Sequence, residues 1–284
     1  MATRRTPQAT ALRGRSVPPR RCAARLAGIL AAVSCGCLPV SAWPQAARSP
    51  ADSDATSAQR QAPFDLQGYW VSMITQNWQF RMIVPGPGEY ADIPINRQAK
   101  QFADVWKAET AEAAGQQCAA YGAAVIMRLP ERLHIHWQDA NLLLVQTDSG
   151  MQTRSLHFGS TEAPAGEPAS LQGYSQARWV KLANSRQQFA PPRLPPSPHA
   201  GSLEINTDHL QPGLLRKNGV PYGSHTQVHE WWDLRTEPGG QQWLSISTRV
   251  VDPEFLLDPY IYDSIFAREA DAAKWHPTPC SLRY

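Results

Sequence analysis

Residues 132–158 read RLHIHWQDANLLLVQTDSGMQTRSLHF, and apolar residues alternate with polar ones over 133–137 and again at Leu156 and Phe158. That period belongs to β-strands with one face turned to a core. Residues 133–137, 142–147 and 151–158 read as three successive strands. Residues 138–141 and Asp148-Ser149-Gly150 are the turns between them, the second with a glycine able to take positive φ. The pattern predicts an antiparallel meander. On the first strand Leu133, Ile135 and Trp137 share one face, and His134 and His136 the other. On the third, Met151, Thr153, Ser155 and His157 lie opposite Gln152, Arg154, Leu156 and Phe158.

The same period extends in both directions. Upstream, 69–75 and 78–84 read as strands, stopped by Pro85-Gly86-Pro87-Gly88. Asn96 then caps a helix over 97–114, closed by Gly115, with Phe102, Val105, Trp106 and Ala113 as its apolar stripe. Downstream, strands are expected over 173–182, 202–209, 226–234, 243–251 and 260–268. A proline-dense extended loop covers 187–200, and Pro238-Gly239-Gly240 makes a turn. Many short strands around one good helix predict a mainly β protein, an antiparallel barrel with an inserted helix.

The N-terminus is of a different kind. Seven arginines (Arg4, Arg5, Arg13, Arg15, Arg20, Arg21 and Arg25) precede an apolar run over 26–40 that ends in Val40-Ser41-Ala42. This is the layout of a cleaved secretory signal peptide, and a run of about 15 residues is short for a membrane span. Arg20-Arg21 is followed by a poor match to a twin-arginine signal. Neither Cys35 nor Cys37 has the bulky aliphatic three residues earlier that a lipoprotein signal needs. The expected organisation is a signal peptide over 1–42, a polar tether over 43–62 and one domain over 63–284. The expected location is periplasmic or secreted.

Setting the leader aside reverses the charge. The chain has 27 basic and 24 acidic residues, and all seven leader charges are basic, which leaves 20 against 24. The basic balance therefore belongs to the leader, and a nucleic-acid or anionic-membrane partner loses its support. Cys118 and Cys280 are the cysteines outside the leader. In an exported protein they are expected to pair.

Phe64-Asp65-Leu66-Gln67-Gly68-Tyr69-Trp70 resembles the D-x-x-G-x-W opening of lipocalin-like and calycin barrels, whose tryptophan plugs one end of the barrel. More of the chain is similar to an uncharacterised family of exported bacterial proteins. The matching blocks are Gly68-Tyr69-Trp70-Val71-Ser72, Cys118-x-x-Tyr121-Gly122, Thr147-Asp148-x-Gly150-x-Gln152-Thr153-Arg154, Gln172-Gly173-Tyr174-Ser175, Leu215-Arg216-Lys217-Asn218-Gly219-Val220-Pro221-Tyr222 and Trp275-x-Pro277-x-Pro279-Cys280. This resemblance implies export and brings no activity with it.

Two constellations carry candidate chemistry. His134 and His136 share a strand face, with Arg154 or His157 nearby if that face looks into the barrel. The phrase His134-Ile135-His136-Trp137 resembles the metal strand of α-type carbonic anhydrases, with His157 as a plausible third ligand. The rest of that family's active site has no counterpart in the chain, and no metal is assigned. The histidines face either solvent or a metal-free cavity. The second constellation is Arg216, Lys217 and Asn218 in a turn, followed by Tyr222, His225, His229 and Glu230. Arg216 could clamp a planar anion bidentately. Glu230 beside two tryptophans could have a raised pKa and act as acid or base, or could simply pair with an arginine. There is no G-x-S-x-G, H-E-x-x-H, C-x-x-C or phosphate loop.

The leading expectation is a cavity for a small, largely apolar or aromatic molecule carrying a polar or anionic group. Arg154, His157, Trp179, Arg216, Asn218 and Tyr222 would contact it, and no cofactor is implied. The alternatives are a cofactor-free lyase, isomerase or hydrolase using His134, His136 and Glu230, and an envelope interaction protein. One pocket holding His134, His136, Arg216 and Glu230 favours the enzyme. Arg216 among aromatics without them favours the binder.

Overall fold

The computed structural model describes residues 57–160, 162–181 and 201–283. The expected signal peptide, most of the expected tether and the proline-dense loop lie outside the described residues.

The chain is mainly β, and nine strands close into a lipocalin-like barrel. They are β1 (Gly68–Met73), β2 (Arg132–Asp139), β3 (Leu142–Thr147), β4 (Thr153–Phe158), β5 (Tyr174–Lys181), β6 (Gly201–Asp208), β9 (Gln227–Thr236), β10 (Gln242–Val251) and β11 (Tyr260–Glu269). A separate hairpin, β7 (Gly213–Arg216) with β8 (Val220–Tyr222), sits outside the ring. Strand β1 closes the barrel by pairing with β2 on one side and β11 on the other. Trp70 of β1 is fully buried. Its indole N–H donates to the Leu66 carbonyl at 2.9 Å, and the Arg268 guanidinium lies 5.2 Å from its ring centre.

The meander over 132–158 folds as its periodicity predicts. Leu133, Ile135, Leu143, Val145, Leu156 and Phe158 point into the core. Gly150 takes φ of 77° at the β3–β4 turn, and a Cβ there would lie 2.3 Å from the Tyr121 ring. The expected all-antiparallel order fails at one place, because β4 and β5 pair in parallel. The link over 159–173 is long enough to carry the chain back along the barrel, as a parallel pair requires.

Three local expectations also change. Residues 78–84 form no strand: Asn77 takes φ of 50°, and α2 (Trp78–Arg81) follows as one helical turn. The single expected helix is two, α3 (Arg97–Val105) and α4 (Ala108–Ala113). The break falls at Trp106, whose backbone is extended and whose side chain packs over Gly219, where a Cβ would meet it at 2.6 Å. The buried face is Ala99, Ala103 and Ala111, small residues that let the helices approach closely, so Phe102 and Val105 stay 45% and 76% exposed. The expected tether ends early, because Ser57 and Ala58 are buried. Ser57 caps α1 (Ala58–Gln61), and Ala58 N–H donates to Asn141 Oδ1 at 2.8 Å.

Cys118 and Cys280 form a disulfide, S–S 2.06 Å. It holds the C-terminal tail against the β3–β4 turn, where Gly150 N–H donates to the Thr278 carbonyl and Thr278 N–H to that of Asp148. Among the described residues, no helix is long and apolar enough to cross a membrane.

Candidate functional site

The β7–β8 hairpin positions the site. Leu214 and Leu215 bury it, and Gly219 with φ of 91° turns it, bringing Arg216, Lys217 and Asn218 to its tip. Arg216 spreads its guanidinium over the loop that follows α2. It donates to the carbonyls of Glu89 and Ala91 at 3.1 Å, pairs with the Asp92 carboxylate and lies 4.6 Å from the Phe80 ring centre. Asn218 Nδ2 donates to the carbonyls of Gly86 and Glu89. Both residues therefore tie down a wall of the chain itself, and Arg216 also lines the cleft behind that wall.

Behind that wall lies a narrow cleft of about 70 Å³, lined by Arg81, Arg128, Arg216 and Lys217. Phe80, Met82, Ile83, Leu129 and Leu215 make its apolar side. Arg128 donates to Asp92 at 2.9 Å, so one carboxylate serves both Arg128 and Arg216. Lys217 Nζ donates to the Tyr121 hydroxyl at 2.9 Å. Arg81 is placed differently. Its Nε donates to the Arg128 carbonyl at 2.8 Å, while its Nη2 is buried without a hydrogen-bond partner. Burial, and then the nearby Arg128 charge, lower its pKa from the usual arginine value.

Glu131 is the other acid in this region. It is buried, and neither carboxyl oxygen has a partner. Burial, and next the charge of Asp148, hold it well above the ordinary glutamate range, against the pull of Arg154, Arg81 and Lys217. A carboxyl whose folded pKa is raised stabilises the fold below the unfolded pKa, and that contribution is lost as pH rises through the folded pKa. Glu131→Gln should therefore melt close to the parent chain at about pH 4 and above it at about pH 8. Melting curves across that range test this, and a gap that does not widen with pH contradicts it.

Inside the barrel, Arg154 and Glu230 face one another with no solvent exposure. Arg154 donates to both carboxylate oxygens, at 3.1 and 2.6 Å. Ser175 and Thr207, bonded to each other at 2.7 Å, cap the same guanidinium. Glu230 thus has the arginine partner, and both side chains of the pair are fully buried. That placement corrects the acid–base role for Glu230 and the ligand contact for Arg154.

The histidines lie on the outer face of the barrel, opposite Leu133, Ile135 and Leu156. His134 stacks on Tyr69 at 4.4 Å and on His136 at 4.7 Å, and its Nδ1 bonds Gln146 Oε1 at 3.0 Å. His157 stacks on Tyr174 at 4.5 Å. Burial lowers the pKa of both His136 and His157. Among the described residues, no group of three or more His, Cys, Asp or Glu is placed to hold a metal. Trp179 is partly buried against the core: it packs on Phe64 and Phe158, and its indole N–H donates to the Ala58 carbonyl at 2.8 Å. Tyr222 is fully buried under the hairpin.

The structure therefore separates what the sequence grouped. His134 and His136 lie outside, Glu230 is sealed inside, and Arg216 is at the cleft. Arg81, Arg128 and Glu131 were missed. The signal for Glu131 was present, because it shares the period of Leu133 and Ile135 and so points inward with them. Comparison with known proteins finds no family model, no curated protein and no solved structure that matches the chain.

Proposed function

We propose that this protein is an exported, lipocalin-like binder of a small amphipathic anion. The acid group sits among Arg81, Arg128 and Lys217. The apolar body lies against Phe80, Ile83 and Leu129. The observation that carries this reading is Arg81, whose Nη2 is buried and without a hydrogen-bond partner in a cleft also lined by Arg128, Arg216 and Lys217, with the Asp92 carboxylate taken by Arg128 and Arg216. A buried, uncompensated positive charge is costly, and a bound anion offsets that cost. Glu131 does not fill the role, because neither of its carboxyl oxygens bonds Arg81.

The volume supports a small head group. About 70 Å³ has room for a few waters or one acid group, so the rest of the ligand lies along the exposed rim, which includes Met82 and Ile83. The leader, the disulfide and the resemblance to exported bacterial proteins support a periplasmic or secreted location. An acid–base enzyme finds less support, since His134, His136 and Glu230 do not share a pocket.

Octanoate titrated calorimetrically against the mature chain tests the reading. A charge-assisted hydrogen bond contributes about 1.5–3 kcal/mol, so Arg81→Gln should weaken binding by about tenfold to a hundredfold. Arg81→Lys, which keeps the charge and loses the fork, should fall between. Melting curves of both variants check that the fold is intact. Equal affinity in all three chains sinks the proposal.

A further inference from the structure

We infer that the chain carries a second binding site, for an uncharged planar aromatic molecule, on the far side of the β7–β8 hairpin. The hairpin is a partition. Leu215, Arg216 and Lys217 face the cationic cleft, while Gly213, Leu214, Pro221 and Tyr222 line a cleft of about 440 Å³. That volume lies in the range of clefts that hold drug-sized molecules, about 300–1,000 Å³.

The lining defines the ligand class. None of the side chains around this cleft carries a charge. Its polar members are Gln116, Gln211 and the Tyr222 phenol, which burial pushes up and so keeps protonated. An ion entering here would lose its water and find no counter-ion, so charge is selected against. Phe102, Trp106 and Phe255 form the walls, and aromatic walls favour a flat, stacked partner.

Two details point to an occupant rather than to ordinary packing. Helix α3 packs through Ala99 and Ala103, so its fold does not need Phe102 at the mouth of the cleft, where it stays 45% exposed. At the floor, the Tyr222 hydroxyl is buried with no hydrogen-bond partner. It is packed so closely on Gly122 and Gly213 that a Cβ at either would lie 2.1 or 2.5 Å from it. The floor thus holds a phenol without a hydrogen-bond partner, closely packed on two glycines.

The test uses N-phenylnaphthylamine, a neutral planar fluorophore, titrated into the mature chain. Saturable one-to-one enhancement is expected. Phe102→Asp, a change at an exposed position that places a charge in the cleft, should weaken it by at least about tenfold. Phe102→Trp should retain it. Arg81→Gln should leave it unchanged, and octanoate should not compete, so this site and the cationic cleft can fail separately. On the Arg81→Gln background, anilinonaphthalene sulfonate should bind at least about tenfold more weakly than the neutral dye. Absence of saturable enhancement overturns the inference. So does loss of dye binding in Arg81→Gln while Phe102→Asp still binds.

Discussion

Glu230→Leu is expected to lower the stability of the barrel by about 3–5 kcal/mol, the cost of leaving a buried charge without its partner. The lost partner belongs to Arg154, which has no solvent exposure and donates to both Glu230 oxygens. Ser175 and Thr207 are hydroxyls and cannot neutralise it. For a domain of this size, each kcal/mol moves the melting temperature by about 2–4 °C, so a fall of roughly 10 °C should be seen. The pair itself need not be a net stabiliser, because desolvation of both ions offsets their attraction. Arg154→Met combined with Glu230→Leu should therefore recover much of the loss. A double variant that melts no higher than Glu230→Leu alone would show that the site cannot accept an apolar filling. A single variant with an unchanged melt would show that Arg154 finds other compensation.

Breaking the disulfide is the second large effect. Cys118 and Cys280 are 162 residues apart, and chain-entropy arguments give about 5 kcal/mol for a loop of that length, with measured values often lower. The structure adds a local reason. The bond anchors a tail in which Leu282 is buried, Arg283 pairs with Glu112, and Trp275 packs against the Tyr69–His134 stack. Cys118→Ser with Cys280→Ser should lower the melting temperature by about 10 °C or more. Reduction of the parent chain should reproduce the same shift. An unchanged melt after full reduction would mean that the tail docks by packing alone.

Most barrel strands were legible in the sequence because they carry one buried and one exposed face, and a period of two records that directly, whereas β7 and β8 are buried at every position and show no such period. Leu133 and Ile135, or Leu156 and Phe158, announce the strand and its two faces, and the structure shows that these residues are on the inner one. The same period put Arg154 on one face with Leu156, a face that the structure buries. Position in the ring was not legible. The parallel β4–β5 pair depends on the route of residues 159–173, and that stretch has no periodicity to read. The helix break at Trp106 was hidden because the packed residues are alanines, while the larger Phe102 and Val105 sit outside.

The cleft was harder still. Arg81 lies on a single helical turn, too short to show a period, and its neighbours Phe80 and Met82 imitate a strand. Arg128 reaches Asp92, 36 residues earlier, and Arg216 reaches the same acid from 124 residues later. Only closure of the barrel brings these together. Arg216 drew notice as a charge in a glycine turn, but its partners are the backbone and the acid of one loop. Its neighbour in space, Arg81, leaves Nη2 buried without a hydrogen-bond partner.

The most direct test of anion binding compares octanoate with octanamide, ligands of matched shape that differ in charge, on the unmodified mature chain by calorimetry. If Arg81 and its neighbours await an anion, the acid binds about tenfold or more tightly, and added salt narrows the gap. Equal affinities, or a preference for the amide, would contradict the cationic cleft as the binding site.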